Sequence, residues 1–149
     1  MDYLLPYGDI TSANAILVLT AGTLFPAGVY LQGFATDQSY SQDELAVTEN
    51  RMGVDGNLVG GWVPSIKPVT IMLEASSPSY VHLSQLYRQM EMLRAPVVCT
   101  LVATVPSIMK IFTWSEGVLK SGTPVPAGKK ILDPTTWKFE FARLTITGM

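Results

Sequence analysis

Between Val69 and Ala75 the side chains alternate: Val69, Ile71, Leu73 and Ala75 fall on one parity, Thr70, Met72 and Glu74 on the other. A period of two predicts a strand with one face on a core. Ser76-Ser77-Pro78-Ser79 then stops it, because a serine hydroxyl can satisfy an orphan N–H at a helix start and proline loses nothing at the first helical position. A helix is expected from Pro78, with Tyr80, Leu83, Leu86, Tyr87, Met90 and Leu93 on one stripe and Pro96 ending it. Upstream, Asp55-Gly56 supplies residues that tolerate positive φ, and apolar residues resume at Leu58, Val59 and Trp62, a hairpin signal.

The remaining pattern is of strands, about Ala15 to Thr20, Val29 to Asp37, Leu45 to Arg51, Leu58 to Trp62, Val97 to Val105, Lys110 to Val118 and Trp137 to Thr147. Val97 to Val105 is apolar at both parities, which predicts a central strand covered on both faces. In the last strand Trp137, Phe139 and Phe141 share a face before the parity shifts to Leu144 and Ile146, so a bulge or bend is expected near Ala142-Arg143. Asp37 to Glu49 is polar and reads as a long exposed loop or projecting hairpin. Gly22 to Gly28 and Gly122 to Gly128 agree at five of seven positions. Nothing beyond the turn repeats, so two similar Pro/Gly turns are the preferred reading over a duplication.

Composition sharpens this reading. A chain of 149 residues has the length of one domain, and 48% hydrophobic residues is ample for one core. With 15% charged residues, a net charge of −2 and a mean hydropathy of +0.27, the surface is apolar for a monomer, so part of it is expected to meet other subunits. No apolar run reaches the roughly eighteen residues of a membrane span, and Ala13 to Ala21 is too short and lacks the basic flank of an export signal. Cys99 is the only cysteine and lies in an apolar run, which predicts a buried thiol and no intrachain disulfide.

Candidate chemistry is sparse. His82 is the only histidine, so no His-rich or Cys-rich metal site can be assembled from one chain, and an ordinary surface or interface histidine is expected rather than a catalytic base. Gly122 to Lys129 fails as a phosphate loop: two prolines remove N–H donors, Lys130 replaces the required Ser/Thr, and no helix pattern follows. Asp37, Asp43, Glu44 and Glu49 lack the register that converges oxygens on calcium. Lys129-Lys130 and Arg88 with Arg94 are too few for a nucleic-acid footprint on a net negative chain. Glu140, between Phe139 and Phe141, points away from those rings in strand geometry and reads as a solvent-facing or interface carboxylate.

The order of strand, extended polar loop, Gly53-Val54-Asp55-Gly56 turn, strand, Val69 to Ala75 strand, Ser76-Ser77-Pro78-Ser79, helix and aromatic-rich last strand resembles the tail tube proteins of contractile-tailed bacteriophages, over about Ala13 to Thr147. The resemblance implies a mainly β fold with one long helix, a β-sandwich or partly closed barrel. It implies hexameric rings whose strands join into a continuous lumen-lining barrel and whose stacks form a tube. In its terms residues 36–54 form the projecting loop that reaches the adjacent ring, making Gln42, Asp43, Glu44 and Glu49 inter-ring contact candidates. The helix lies on the outer side, making Arg88, Glu91 and Arg94 candidates for the sheath or a neighbouring subunit. Glu74 is the lumen candidate, from its place opposite the apolar face of its strand. Met1 to Asn14, with Tyr3, Leu4, Leu5 and Tyr7, is unusually apolar and is read either as an N-terminal arm that tucks under a neighbouring subunit or as the mark of a specialised homologue.

The implied role is structural, not enzymatic. No cofactor is called for, the implied partners are sheath, tape-measure and baseplate hub or initiator proteins, and DNA passes the lumen without sequence-specific binding. The implied location is the virion, after assembly in the host cytoplasm. Tube initiators and baseplate hub proteins share the fold and are the alternative role. A small-ligand-binding β-barrel would need a closed, apolar interior pocket and would stay monomeric, and an enzyme would need carboxylates or lysine titrating abnormally in a cleft.

Overall fold

The computed structural model describes residues 15–22, 24–34 and 40–148. In chain order the strands are β1 (Ile16–Ala21), β2 (Phe25–Leu31), β3 (Tyr40–Gln42), β4 (Thr48–Met52), β5 (Leu58–Trp62) and β6 (Lys67–Leu73), followed by helix α1 (Pro78–Leu93) and then β7 (Cys99–Val105), β8 (Lys110–Gly122) and β9 (Thr135–Gly148). Seven strands form one antiparallel sheet in the order β2-β1-β7-β8-β9-β6-β3, and β4 pairs with β5 alone. The sheet curls around a single apolar cluster without a closed ladder. Beyond β2, Phe34 bridges to Leu73 on β6, the strand inside the β3 edge, and Glu74 donates its N–H to Gly33 O at 2.8 Å, so one end of the sheet touches the next-to-last strand at one point. The result is mainly β with one long helix, as the resemblance implies, and the sheet is not closed.

Alternation builds the core. Leu17 and Leu19 on β1, Leu101 and Ala103 on β7, Trp137 and Phe139 on β9, and Val69, Ile71 and Leu73 on β6 are all fully buried. Leu83 and Leu86 cap this cluster from α1, with Tyr80 and Met90 packed against it and Leu93 mostly exposed. The helix begins at Pro78 as the sequence predicts: Ser77 is the N-cap, its Oγ accepting from Ser79 N at 3.1 Å. The same two serines fasten the helix to the end of β2. Ser79 Oγ accepts from Gln32 N at 2.6 Å, and Ser77 Oγ donates to Gln32 O. Arg94 then ends the helix in a left-handed conformation, its N–H on Met90 O.

Three local expectations change. On β7 the residues Cys99, Leu101, Ala103 and Val105 are buried while Thr100, Val102 and Thr104 are half-buried, so one face carries the core and, among the described residues, no second layer covers the other. The apolar parity of Val97 and Val98 misleads because both precede the strand. The irregularity expected at Ala142-Arg143 falls on the facing strand: β8 and β9 keep register from Ser115↔Arg143 to Gly117↔Phe141, whereas β8 gains a residue relative to β7 between Trp114 and Gly117, at Glu116 with φ +56°. Third, Phe25 to Gly28 lie inside β2 while 123–128 form a loop, so the two similar Pro/Gly segments adopt different structures.

Candidate assembly surfaces

The β4–β5 hairpin stands off the sheet with every residue of both strands exposed. Its pairing, Thr48↔Trp62, Asn50↔Gly60 and Met52↔Leu58, puts Met52, Leu58 and Trp62 on one face, and Glu49, Arg51 and Val59 on the other. Trp62 is 73% exposed, Leu58 67% and Met52 65%. A two-stranded ribbon is marginal by itself, and three large apolar side chains in water cost stability, so the face is built to be covered. The tip differs from a two-residue turn: Gly53 N–H donates to Asn57 O at 2.8 Å, Gly56 N–H donates to Gly53 O at 3.0 Å, and only Gly56 takes a positive φ, +86°. Asp55 instead accepts from Asn57 N at 3.1 Å, and that N–H holds its carboxyl below the usual range.

The four inter-ring candidates separate. Gln42 is on β3, paired with Val69, and its Oε1 accepts from Trp114 Nε1 at 2.6 Å, which commits it to the chain's own fold. Asp43 and Glu44 are exposed in the stretch that leads to the hairpin, and Glu49 lies on the hairpin's polar face. Segment 36–54 therefore contains β3, that stretch and half of the hairpin, which continues to Trp62; its first residues and the arm Met1 to Asn14 lie outside the described residues. Glu74 is half-buried in the turn after β6, where Ser77 N–H donates to its carbonyl, one residue beyond the strand whose outer face carries Thr70 and Met72.

Arg88, Glu91 and Arg94 are all exposed on the last turns of α1, and none forms an ion pair among the described residues. Glu91 and Arg94 border a groove of about 570 Å³ between the helix end and β8, with Tyr87, Met90, Pro96 and Leu119 as its apolar lining and Lys120 opposite. The pattern of the helix alone did not reveal this groove, because β8 runs to Gly122, past the expected end at Val118. Strand edges are also free, among them that of β3, which pairs only with β6 among the described strands. The outer edge of β2 has no partner among the described strands, and β9 beyond Phe141 pairs only with β8, leaving Ala142 to Gly148 with one open side.

Chemistry of the catalytic kind is thin here. His82 is half-buried on α1 with its ring edge-on to Phe25, centroids 5.4 Å apart, and its Nδ1 has no hydrogen-bond partner. Cys99 is buried and its thiol is pushed up to about 11 by that burial. Among the described residues no three His, Cys, Asp or Glu side chains converge as metal ligands, and no helix is long and apolar enough to cross a membrane.

A family model described as tail fiber protein gp32 matches residues 8–145. The chain belongs to that family. No curated protein sequence matches it. Among solved structures, it is similar to a chain of the sheath–tube complex of an extracellular contractile injection system (PVC) in the extended state, with TM-score 0.63, 11% identity, and coverage of 100% of this chain and 95% of that one. It is also similar to a chain of the anti-feeding prophage baseplate, 6-fold symmetrised, with TM-score 0.61, 12% identity, and coverage of 94% and 96%. A chain of that particle's tube-terminating cap gives TM-score 0.58, 12% identity, and coverage of 100% and 93%. At such identities the likeness is one of fold. The family is thus the one described as tail fiber protein gp32, and the fold is that of tube, cap and baseplate chains of contractile injection systems.

Proposed function

We propose that the chain is a ring-forming subunit of a phage tail tube, six copies to a ring, with stacked rings making the conduit for DNA ejection. The observation that carries this reading is the set of free strand edges together with the uncovered apolar face of the β4–β5 hairpin. Open edges are a hazard to a monomer, and ring closure, edge against edge, removes it. A hairpin that projects from the body then meets the next ring, a heterologous contact that repeats without closing. Six copies are suggested by the sixfold symmetry of the baseplate neighbour. Asp43, Glu44 and Glu49 are assigned to the polar part of the inter-ring contact, with Gln42 supporting them from within the fold, and Arg88, Glu91 and Arg94 to the sheath or an adjacent subunit. Glu74 stays the lumen candidate, where negative charge would keep DNA phosphates from adhering.

In this reading the protein does no catalysis; it works with sheath, tape-measure and baseplate hub or initiator proteins, in the virion after assembly in the host cytoplasm. The second reading, a tube initiator or baseplate hub, is favoured by the cap and baseplate neighbours, whose TM-scores lie within a few hundredths of the sheath–tube chain's. Negative-stain electron microscopy of the purified protein across a concentration series separates them. Long hollow tubes are expected of the repeating subunit and isolated rings of an initiator. A compact monomer at every concentration would overturn both.

A further inference from the structure

The groove at the end of α1 combines an apolar floor of Tyr87, Met90, Pro96 and Leu119 with two cations, Arg94 and Lys120, and one carboxylate, Glu91, on its border. Lys120 is shared with Glu140 at 3.6 Å, but Arg94 has no anionic partner among the described residues. Residues 1–14 have the complementary composition: Tyr3, Leu4, Leu5 and Tyr7 are clustered, Asp2 and Asp9 flank them, and Lys, Arg and His are absent. Apolar side chains over the floor with a carboxylate on a guanidinium are what a groove of this kind recognises.

Placement favours the groove of another copy. The chain enters β1 at Ile16, paired with Thr104, whereas Ala21 at the other end pairs with Cys99, close to Pro96. β1 therefore begins at the end of the wall opposite the groove. For residues 1–14, reaching the groove of the same copy means doubling back about 20 Å along β1, which uses roughly six of them. A copy added head to tail brings its groove towards that end directly, and such a contact propagates.

We infer that residues 1–14 of one copy dock in the α1–β8 groove of the next, with the Tyr3 to Tyr7 cluster on Tyr87, Met90 and Leu119 and Asp9 on Arg94. The inference rests on the assembly reading above, and its test keeps the two apart. One full-length variant carries Leu5→Cys and a second Ser121→Cys; mixed under assembling conditions and oxidised, they are expected to give a disulfide-linked dimer containing one of each. Arg94→Glu in the groove copy is expected to cut that yield about tenfold, as loss of a charge-assisted contact would, and Asp9→Lys in the arm copy to restore it. A yield indifferent to both charge changes overturns the Asp9–Arg94 contact. Electron microscopy of the same samples reads the assembly: rings or tubes without the mixed dimer overturn the docking alone, and absence of rings and tubes at every concentration overturns the assembly reading. In a variant carrying both cysteines, a disulfide formed only within single chains overturns exchange between copies.

Discussion

Gly117 is buried where β8 crosses β9, and a Cβ there would stand 2.1 Å from Phe141 Cδ1 and 2.7 Å from Glu140 O. Neither a core ring nor a backbone carbonyl can retreat cheaply, so Gly117→Ala is expected to cost about 3 kcal/mol by urea unfolding, at the upper end of overpacking. Gly128→Ala, with nothing within 4 Å, is expected to be neutral in the same assay. Cys99 gives a second residue-level prediction. Its buried thiol has a folded value of about 11 against 9.0 for the ordinary group, so the neutral form is favoured in the fold. The stability tied to that form is fully present below about pH 9 and is lost as pH rises towards about 11. Unfolding curves from pH 8 to 11 should therefore fall more steeply for the natural protein than for Cys99→Ala, and the thiol should resist alkylation until the chain is unfolded.

At the scale of elements, α1 is held as much by its first residues as by its stripe. Ser77 caps the helix and donates to Gln32 O, so Ser77→Ala removes a cap and strands a carbonyl; a loss of about 2 kcal/mol is expected by chemical denaturation. The β4–β5 hairpin should behave oppositely. Trp62→Ala removes a side chain that touches water on most of its surface, so the monomer should change by less than about 0.5 kcal/mol while ring or tube formation is lost in the electron microscope. These elements were also the most legible in the sequence: α1 from Pro78 to Leu93 and β5 from Leu58 to Trp62 follow directly from cap chemistry and turn residues. Tyr40–Gln42 was not legible, because three residues carry no period and their pairing with β6 is a tertiary fact. The same holds for Glu116: the parity shift along β9 announces an irregularity, yet which of two paired strands absorbs the extra residue depends on packing around Gly117 and Phe141. Gln42 reads as a surface glutamine until Trp114, seventy-two residues away, arrives beside it.

For the whole molecule, low charge and a high apolar fraction lead one to expect association, and the exposed apolar hairpin face and the free edges are the surfaces the proposed assembly would use. The groove was hidden, since it exists only where the helix end and β8 come together. Association should register as mass action: the thermal unfolding midpoint of the natural protein is expected to rise with protein concentration, and that of Trp62→Ala to stay fixed. The contact between Phe34 and Leu73 has a consequence for motion. Five of the strands in the wall are laddered on both sides, but the stretch after β2 meets β6 at a single bridge, with one N–H from Glu74 beside it. Local opening starts where the fewest bonds must break together. Amide hydrogen exchange should accordingly be fast at Glu74 and slow at Leu101 and Ala103, and a neighbouring copy that covers β2 and β6 should slow it, so the rate at this one amide would serve as a gauge of assembly.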